Sequence, residues 1–247
     1  MGKVKDIVWD SKNVAFFWST YVSDSKNIGA WMSEGSGRAI FSQMKRILPR
    51  AFFFTPKVLC DWGCGTGTFA AGLVASGHKV YGVDQPEVIT EIENYPSNFI
   101  PLTNSKLIPN QEIDLLYALE VIEHIIESEI PKTFLEWQRI LNPGGYLLIT
   151  TPNSENLESN SIICPNCETR FHSVQHVRSI SPSSITKMLF DNGFQVKQIW
   201  LGEFFFETKR GTVVEKLRKI WYWIRRIRAR KEIKTNSPHM MVLAKLI

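Results

Sequence analysis

Long apolar segments are missing from the 247-residue sequence. No run approaches the roughly 20 apolar residues that a transmembrane helix needs, and the first residues, MGKVKDIVWD, lack the apolar core of a signal peptide. These absences favour the cytoplasm as the compartment. Hydrophobic residues make up 44% and charged residues 21% of the chain, which excludes a disordered or collagen-like protein. We therefore expect one globular core.

Cysteine is also scarce. The four cysteines fall into two close pairs, Cys60 with Cys64 and Cys164 with Cys167. Four residues are too few for a disulfide scaffold in a chain of this length. In a reducing compartment, the pairing indicates buried thiols or metal ligands.

The net charge of +5 is concentrated in one segment. Residues 215–234 contain nine Lys or Arg and two Glu, so the rest of the chain is slightly acidic. An acidic remainder argues against a nucleic-acid-binding surface. Apolar residues recur in this region at steps of three and four: Val213, Leu217, Ile220, Trp221, Ile224 and Ile227. The spacing predicts a basic amphipathic helix that either binds an anionic membrane surface through 213–234 or packs on the domain.

From residue 57 onward, short apolar runs alternate with helical patterns, which predicts a doubly wound α/β sheet of about seven strands. We place strands at 57–62, 79–84, 98–102, 112–117, 145–150, 194–201 and 239–246. Helices are expected at 67–76, 86–94, 120–141 and 182–192. The domain covers 56–247 and follows an N-terminal cap, 1–55, which includes a helix in GRAIFSQMKRIL. Two long polar stretches, 151–181 and 202–238, are expected to be insertions.

The segment VLCDWGCGTGTFA predicts a turn between a strand and a helix, with glycines at 63, 65 and 67. Glycine lets the backbone turn sharply and approach a ligand closely. The spacing G-x-G-x-G, with Thr68 in place of a later glycine, argues against a dinucleotide site. Asp84 ends the next strand, where a carboxylate can accept hydrogen bonds from ribose hydroxyls.

In this order, DWGCGTG, Asp84, IDLLYALEVIEHI and LNPGGYLLITTPN resemble the class I S-adenosylmethionine-dependent methyltransferases over about residues 57–200. The resemblance implies a Rossmann-like, mostly parallel sheet with an antiparallel last strand, and S-adenosylmethionine as cofactor. It also implies that Asp84 binds the ribose, and that Leu119 and Glu120 lie beside the methyl-bearing end. The residues that it implies around the methionine part are Asp61, Gly63, Gly65 and Gly67. The stretch FIPLTNSKLIP lacks the carboxylate that often binds adenine in this family, so the adenine contacts are unassigned.

The segment EVIEH supplies candidate catalytic residues, Glu123 and His124, which would share a helix face with Glu120. It is similar to the segment of ubiquinone-pathway O-methyltransferases and small-RNA end-methylating enzymes. The resemblance implies that Glu120, Glu123 and His124 hold Mg or Mn, with His176 as a fourth ligand. Alternatively, Glu120 only fixes the cofactor and His124 packs its helix.

The segment CPNCETRFHSVQH contains a second candidate metal centre. Cys164, Cys167, His172 and His176 are spaced as in a compact zinc site. His176 cannot serve both metals, and we favour zinc for it. The alternatives are a reduced cysteine pair with unrelated histidines, or an acid–base role for His176.

These features predict an S-adenosylmethionine-dependent methyltransferase, with a hydroxyl of a small molecule, glycan or lipid-linked compound as acceptor. It would be cytoplasmic, with peripheral attachment to the inner face of the membrane. One alternative is an RNA end methyltransferase, although nucleic acid is not an expected partner. The other is a noncatalytic module that binds S-adenosylmethionine or a membrane surface.

Overall fold

A computed structural model describes residues 4–23, 40–42, 44–45, 48, 57–89, 96–202 and 237–247 of the protein. The described strands are β1 (Lys5–Asp6), β2 (Val58–Trp62), β3 (Lys79–Val83), β4 (Phe99–Leu102), β5 (Ile113–Leu119), β6 (Leu141–Pro152), β7 (Ser161–Ile163), β8 (Thr169–His172), β9 (Phe194–Gly202) and β10 (His239–Leu246). The described α-helices are α1 (Ser11–Ser23), α2 (Thr68–Ala75), α3 (Pro86–Ile89), α4 (Ile130–Ile140) and α5 (Pro182–Asp191). Short 3-10 helices cover Ser105–Leu107, Glu127–Glu129 and Leu157–Asn160.

Seven strands form the main sheet, in the order β4-β3-β2-β5-β6-β10-β9. The strands from β4 to β6 run parallel, whereas β10 is antiparallel to both β6 and β9. Central strands of this kind are covered on both faces, which explains the apolar runs VLC in β2 and LLYAL in β5. The expected Rossmann-like sheet with an antiparallel last strand is confirmed.

Two apolar layers cover the faces of the sheet. On one side α4 buries Phe134 and Trp137, which contact each other, and Phe134 packs against Phe194. On the other side α2 buries Phe69 against Tyr117. The same layer contains Ile40, Met44 and Leu48 from the expected helix GRAIFSQMKRIL, which the structure describes in part.

The helix expected at 120–141 is wrong in its first ten residues, because α4 begins only at Ile130. Glu120 has a positive φ of 54° and its N–H donates to the carbonyl oxygen of Thr150, 3.0 Å away. A residue in this left-handed conformation cannot continue a right-handed helix. The chain therefore turns at 120–126 before α4 starts.

The insertion 151–181 contains the hairpin of β7 and β8, and the N-terminal residues pack on it. Strand β1 pairs in parallel with β8, and Asp6 accepts a hydrogen bond from Arg170 at 2.7 Å. The rings of Trp9 and Phe171 meet edge to face. The beginning of the cap is thus attached to the insertion.

Two further expectations lie outside the described residues: the end of the 86–94 helix beyond Ile89, and nearly all of the 202–238 insertion with its basic helix. In the part of the chain that is described, no helix has the length and apolarity needed to cross a bilayer.

Candidate active site

A glycine turn joins β2 to α2 at the carboxyl edge of the sheet. Gly63, Gly65 and Gly67 have φ angles of 74°, 54° and 74°, in the left-handed region that glycine adopts without strain. A Cβ atom on Gly63 would lie 2.6 Å from Cγ2 of Val121. The missing side chain therefore lets the segment after β5 pack directly on the turn.

Asp84, which follows β3, closes this turn from the other side. Its carboxylate accepts hydrogen bonds from the backbone N–H groups of Gly65 and Gln85, each at 2.7 Å. Burial raises the pKa of Asp84, and these two hydrogen bonds oppose the shift. A carboxylate has about four lone-pair sites, so that oxygen atoms bonded in this way can still accept hydrogen bonds from ribose hydroxyls.

Asp61 lies in β2 directly before the turn and is 2% exposed. Burial, together with the nearby charge of Asp84, raises the pKa of Asp61 to about 8. Among the described residues, no donor reaches its Oδ2 atom. A buried acceptor without a partner is costly, and a ligand that carries an ammonium group would satisfy it.

The turn after β5 carries EVIEH. Leu119 ends β5, and the N–H of His124 donates to the carbonyl oxygen of Val121 at 3.0 Å. Burial raises the pKa of Glu120 to about 8. Glu123 is 1% exposed, and neither of its carboxyl oxygens has a hydrogen-bond partner among the described residues. Burial, and then the neighbouring Glu120, raise the pKa of Glu123.

Two histidines complete this cluster. Ligand atoms of Glu123, His124 and His176 all lie within 4.8 Å of one another. Burial, and then the nearby His176, lower the pKa of His124 to about 3, so its imidazole is neutral at physiological pH. The cluster is held together by the backbone, because the N–H of Val177 donates to the carbonyl oxygen of Glu123 at 2.9 Å. We call Glu123, His124 and His176 the carboxylate–histidine cluster.

Residues 36–199 match the family of methyltransferase domains. The chain belongs to this family. Among curated proteins, it is 28% identical over 152 residues to the ubiquinone biosynthesis O-methyltransferase of Rickettsia canadensis, covering 57% of this chain and 64% of that protein. It is 26% identical over 187 residues to the mitochondrial ubiquinone biosynthesis O-methyltransferase of Rattus norvegicus, covering 67% of this chain and 49% of that protein. The methyltransferase domain thus matches about half to two thirds of the length of these relatives.

Solved structures share the fold of this methyltransferase domain. The 1,6-didemethyltoxoflavin-N1-methyltransferase of Burkholderia thailandensis, with bound 1,6-didemethyltoxoflavin and S-adenosylhomocysteine, superimposes with a TM-score of 0.64 at 14% identity, covering 98% of this chain and 93% of that chain. A phosphoethanolamine N-methyltransferase of Haemonchus contortus, also with S-adenosylhomocysteine, gives a TM-score of 0.59 at 16% identity, covering 97% and 60%. The expected Rossmann-like methyltransferase fold is therefore confirmed.

The structure of this methyltransferase domain does not bring the four predicted zinc ligands together in one group among the described residues. The N–H of Cys164 donates to the carbonyl oxygen of Thr169 across the hairpin turn that contains Cys167, whereas His172 pairs with Ser161 at the far end of β8. Extended chain rises about 3.3 Å per residue, so roughly 10 Å separates the two ends of β8. Among the described residues, two groups could hold a metal, and neither contains a cysteine: Glu123, His124 and His176, and Glu155, His172 and His176.

Sequence reasoning missed four residues of the site. Glu155 contacts both His172 and His176. Gln175 donates to the carbonyl oxygen of His124 at 3.0 Å and accepts from the indole N–H of Trp18 at 2.8 Å. His239 places Nε2 4.0 Å from Oε2 of Glu120. No spacing signal links these positions, but three of them lie in segments that were expected to be insertions or cap, and His239 directly follows such a segment.

Replacing Gly63 with alanine is expected to weaken S-adenosylhomocysteine binding by about 10- to 100-fold, because the methyl group collides with Val121 and the φ angle is strained. Gly77→Ala is the matched control, since Gly77 also has a positive φ but no atom within 4 Å of the added Cβ. Calorimetric titration of both folded variants is the measurement. Equal affinities for the two variants would contradict the close packing at Gly63.

Cofactor binding is expected to release a proton from Asp61. With a pKa of about 8, this carboxyl is mostly protonated in the free protein at pH 7. An ammonium group beside it favours the ionised form, so binding of S-adenosylhomocysteine should release close to one proton at pH 7. Titrations in buffers of different ionisation enthalpy measure this release. Asp61→Asn should abolish it, and a release that is unchanged in this variant would contradict the assignment.

Proposed function

We propose that this protein transfers the methyl group of S-adenosylmethionine to a hydroxyl oxygen of a small-molecule or lipid-linked acceptor. The observation that supports this function most directly is the packing of Val121 on Gly63. Glu123 and His124 follow Val121 within three residues. The carboxylate–histidine cluster and the glycine turn are therefore neighbours, as an acceptor site and a cofactor site must be.

The cofactor side of the reaction rests on the residues of the turn. Asp61 would accept hydrogen bonds from the α-ammonium group, and Asp84 from the ribose hydroxyls. These contacts would orient the sulfonium toward the segment after β5. Positioning supplies much of the catalysis in such an in-line displacement, because the sulfonium is already a good leaving group.

The acceptor side needs a group that takes up the hydroxyl proton. As the oxygen forms its bond to the methyl carbon, the carbon–sulfur bond breaks, its electron pair stays on sulfur, and the cofactor becomes a neutral thioether. The carboxylate of Glu123 would receive the proton. A carboxylate has two oxygens, so one oxygen of Glu123 can receive this proton while the other contacts a bound cation.

A divalent cation fits the carboxylate–histidine cluster. The oxygens of Glu123 and Nε2 of His176 are buried acceptors without hydrogen-bond partners among the described residues. Carboxylate oxygens suit Mg or Mn, and imidazoles suit divalent metals such as Zn or Fe. Glu123, His124 and His176 would hold the cation, with Glu120 beside them. Once bound, it would lower the pKa of the acceptor hydroxyl.

The name of the two curated relatives, ubiquinone biosynthesis O-methyltransferase, favours oxygen as the atom that accepts the methyl group. Aromatic side chains of α1 favour an acceptor with an apolar or aromatic body. The indole ring of Trp18 lies 5.0 Å from the ring of His124, and Phe17 and Tyr21 stack next to it.

The decisive experiment incubates the protein with methyl-labelled S-adenosylmethionine and a panel of prenylated phenols, glycolipids and RNA with a free 3′ end. Label is expected in an ether of a phenol or lipid, with loss of activity in EDTA and recovery with Mg or Mn. Label only in RNA would favour the RNA end methyltransferase. Tight cofactor binding without any product would favour a noncatalytic module.

Glu123→Gln tests the proposed base. We expect it to lower kcat by about 10²- to 10⁴-fold and to leave S-adenosylhomocysteine affinity nearly unchanged. Glu127→Gln is the control, because the side chain of Glu127 is 90% exposed in the same segment. Equal turnover by the two variants would rule out Glu123 as the base.

We also propose that residues 213–234 bring the protein to an anionic membrane surface, since each basic residue there contributes about 1 kcal/mol to such binding. The support is the charge and apolar spacing of the sequence. Sedimentation with phosphatidylglycerol vesicles should carry the protein down at low salt and release it at high salt. Equal sedimentation with purely zwitterionic vesicles would contradict this proposal.

A further inference from the structure

The geometry points to Glu155 as a positioning residue that fixes the imidazole tautomers of His172 and His176 and turns Nε2 of His176 toward Glu123 and His124. This inference rests on the proposed role of the carboxylate–histidine cluster. It assigns a task to the insertion 151–181, because Glu155 lies near its beginning and both histidines near its end.

Glu155 lies between polar groups that hold its carboxylate in place. Its Oε2 atom is 2.5 Å from Nδ1 of His176. Its Oε1 atom accepts a hydrogen bond from Nδ2 of Asn160 at 2.9 Å and lies 3.4 Å from Nε2 of His172. The side chain is 15% exposed. A carboxylate held by several partners in this way has a fixed orientation.

The backbone determines the tautomer of His172. The N–H groups of His176 and Val174 point at its Nδ1 atom, at 3.2 and 3.4 Å. A backbone N–H can only donate, so Nδ1 must present its lone pair. The proton of a neutral His172 is therefore on Nε2, which faces Oε1 of Glu155.

The carboxylate determines the tautomer of His176 in the same way. Oε2 of Glu155 lies 2.5 Å from Nδ1 of His176, and Oε1 accepts a hydrogen bond from Asn160. A carboxylate only accepts hydrogen bonds, so Nδ1 of His176 donates. A neutral His176 then presents a lone pair on Nε2, which is buried and has no hydrogen-bond partner among the described residues.

Direct metal binding by Glu155 is the competing arrangement, since ligand atoms of Glu155, His172 and His176 also lie within 4.8 Å of one another. The hydrogen bonds argue against it. Nδ1 of His172 is occupied by backbone donors, and its Nε2 carries the proton. Both oxygens of Glu123 and Nε2 of His176 lack hydrogen-bond partners among the described residues, and Glu123 and His176 belong to the same group of potential ligands. Histidine ligands commonly donate their second N–H to a carboxylate, which orients the ring and raises its basicity.

The test compares the unsubstituted protein with Glu155→Gln. Glu158→Gln is the matched control, because Glu158 is an exposed carboxylate three residues further along the same insertion. Long-range ¹H–¹⁵N spectra of the metal-free proteins report the tautomer of each imidazole, with signals assigned through His172→Gln and His176→Gln. Titration with Mn²⁺ alone, followed by electron paramagnetic resonance, reports cation affinity. Calorimetry with S-adenosylhomocysteine checks that the cofactor site is intact.

We expect the Nδ1–H tautomer for His176 and the Nε2–H tautomer for His172 in the unsubstituted protein. Glu155→Gln should add the Nε2–H form of His176 and weaken Mn²⁺ binding by about 10- to 100-fold, whereas Glu158→Gln should change neither. S-adenosylhomocysteine affinity should be the same in all three proteins.

The Nε2–H tautomer for His176 in the unsubstituted protein would overturn the inference without need of a variant, even if Glu155→Gln fails to fold. Unchanged tautomers in a folded Glu155→Gln protein would overturn it as well. If the unsubstituted protein shows the expected tautomers but binds no Mn²⁺, the positioning role is supported and the cation in the proposed function is rejected.

Discussion

The close approach of the chain at Gly63 to the chain at Val121 is the constraint on which the site depends. Because Gly63 has no side chain, the segment that follows β5 can pack against the turn that follows β2. The same segment carries Glu120, Glu123 and His124. This contact joins the segments that follow two neighbouring parallel strands, β2 and β5. It therefore brings the glycine turn and the carboxylate–histidine cluster to the same edge of the sheet.

This arrangement places four carboxyl groups in the protein interior, where their ionised forms are unfavourable. Asp61 and Asp84 on one side, and Glu120 and Glu123 on the other, all have pKa values raised by burial. Carboxyl groups in a low-dielectric interior either stay protonated or need a positive partner. The ammonium and sulfonium groups of the cofactor, and a divalent cation at Glu123, would supply that partner. The site is thus arranged for cationic ligands, and its residues should become more ionised when such ligands bind.

Much of the fold could be predicted because strands and turns have recognisable sequence patterns within short segments. Continuous apolar runs such as that of β5, and three glycines at alternating positions after β2, indicate their structures without knowledge of the rest of the chain. The turn at EVIEH could not be predicted in this way. Its residues fit a helix, and only the hydrogen bond from Glu120 to Thr150, 30 residues away, shows why the helix does not form.

The candidate metal ligands also could not be predicted from local sequence alone. Four close Cys and His residues suggested zinc, but an extended β8 separates Cys167 from His172, and both histidines face Glu155 instead. Short sequence intervals do not bring side chains together when the chain between them is a strand. The roles of Glu155, Gln175 and Trp18 depend on contacts between the cap, the insertion and the sheet edge, and no local pattern records them.

The central claim is that the cofactor site and the cation site lie together at one edge of the sheet. A crystal structure with S-adenosylhomocysteine and Mn²⁺, with data collected at the manganese absorption wavelength, tests this claim most directly. We expect the cofactor to lie on the glycine turn, with its amino group at Asp61 and its sulfur facing the segment after β5. We also expect an anomalous peak between Glu123, His124 and His176. An anomalous peak at Cys164 and Cys167 alone, or a cofactor bound away from Gly63, would contradict it.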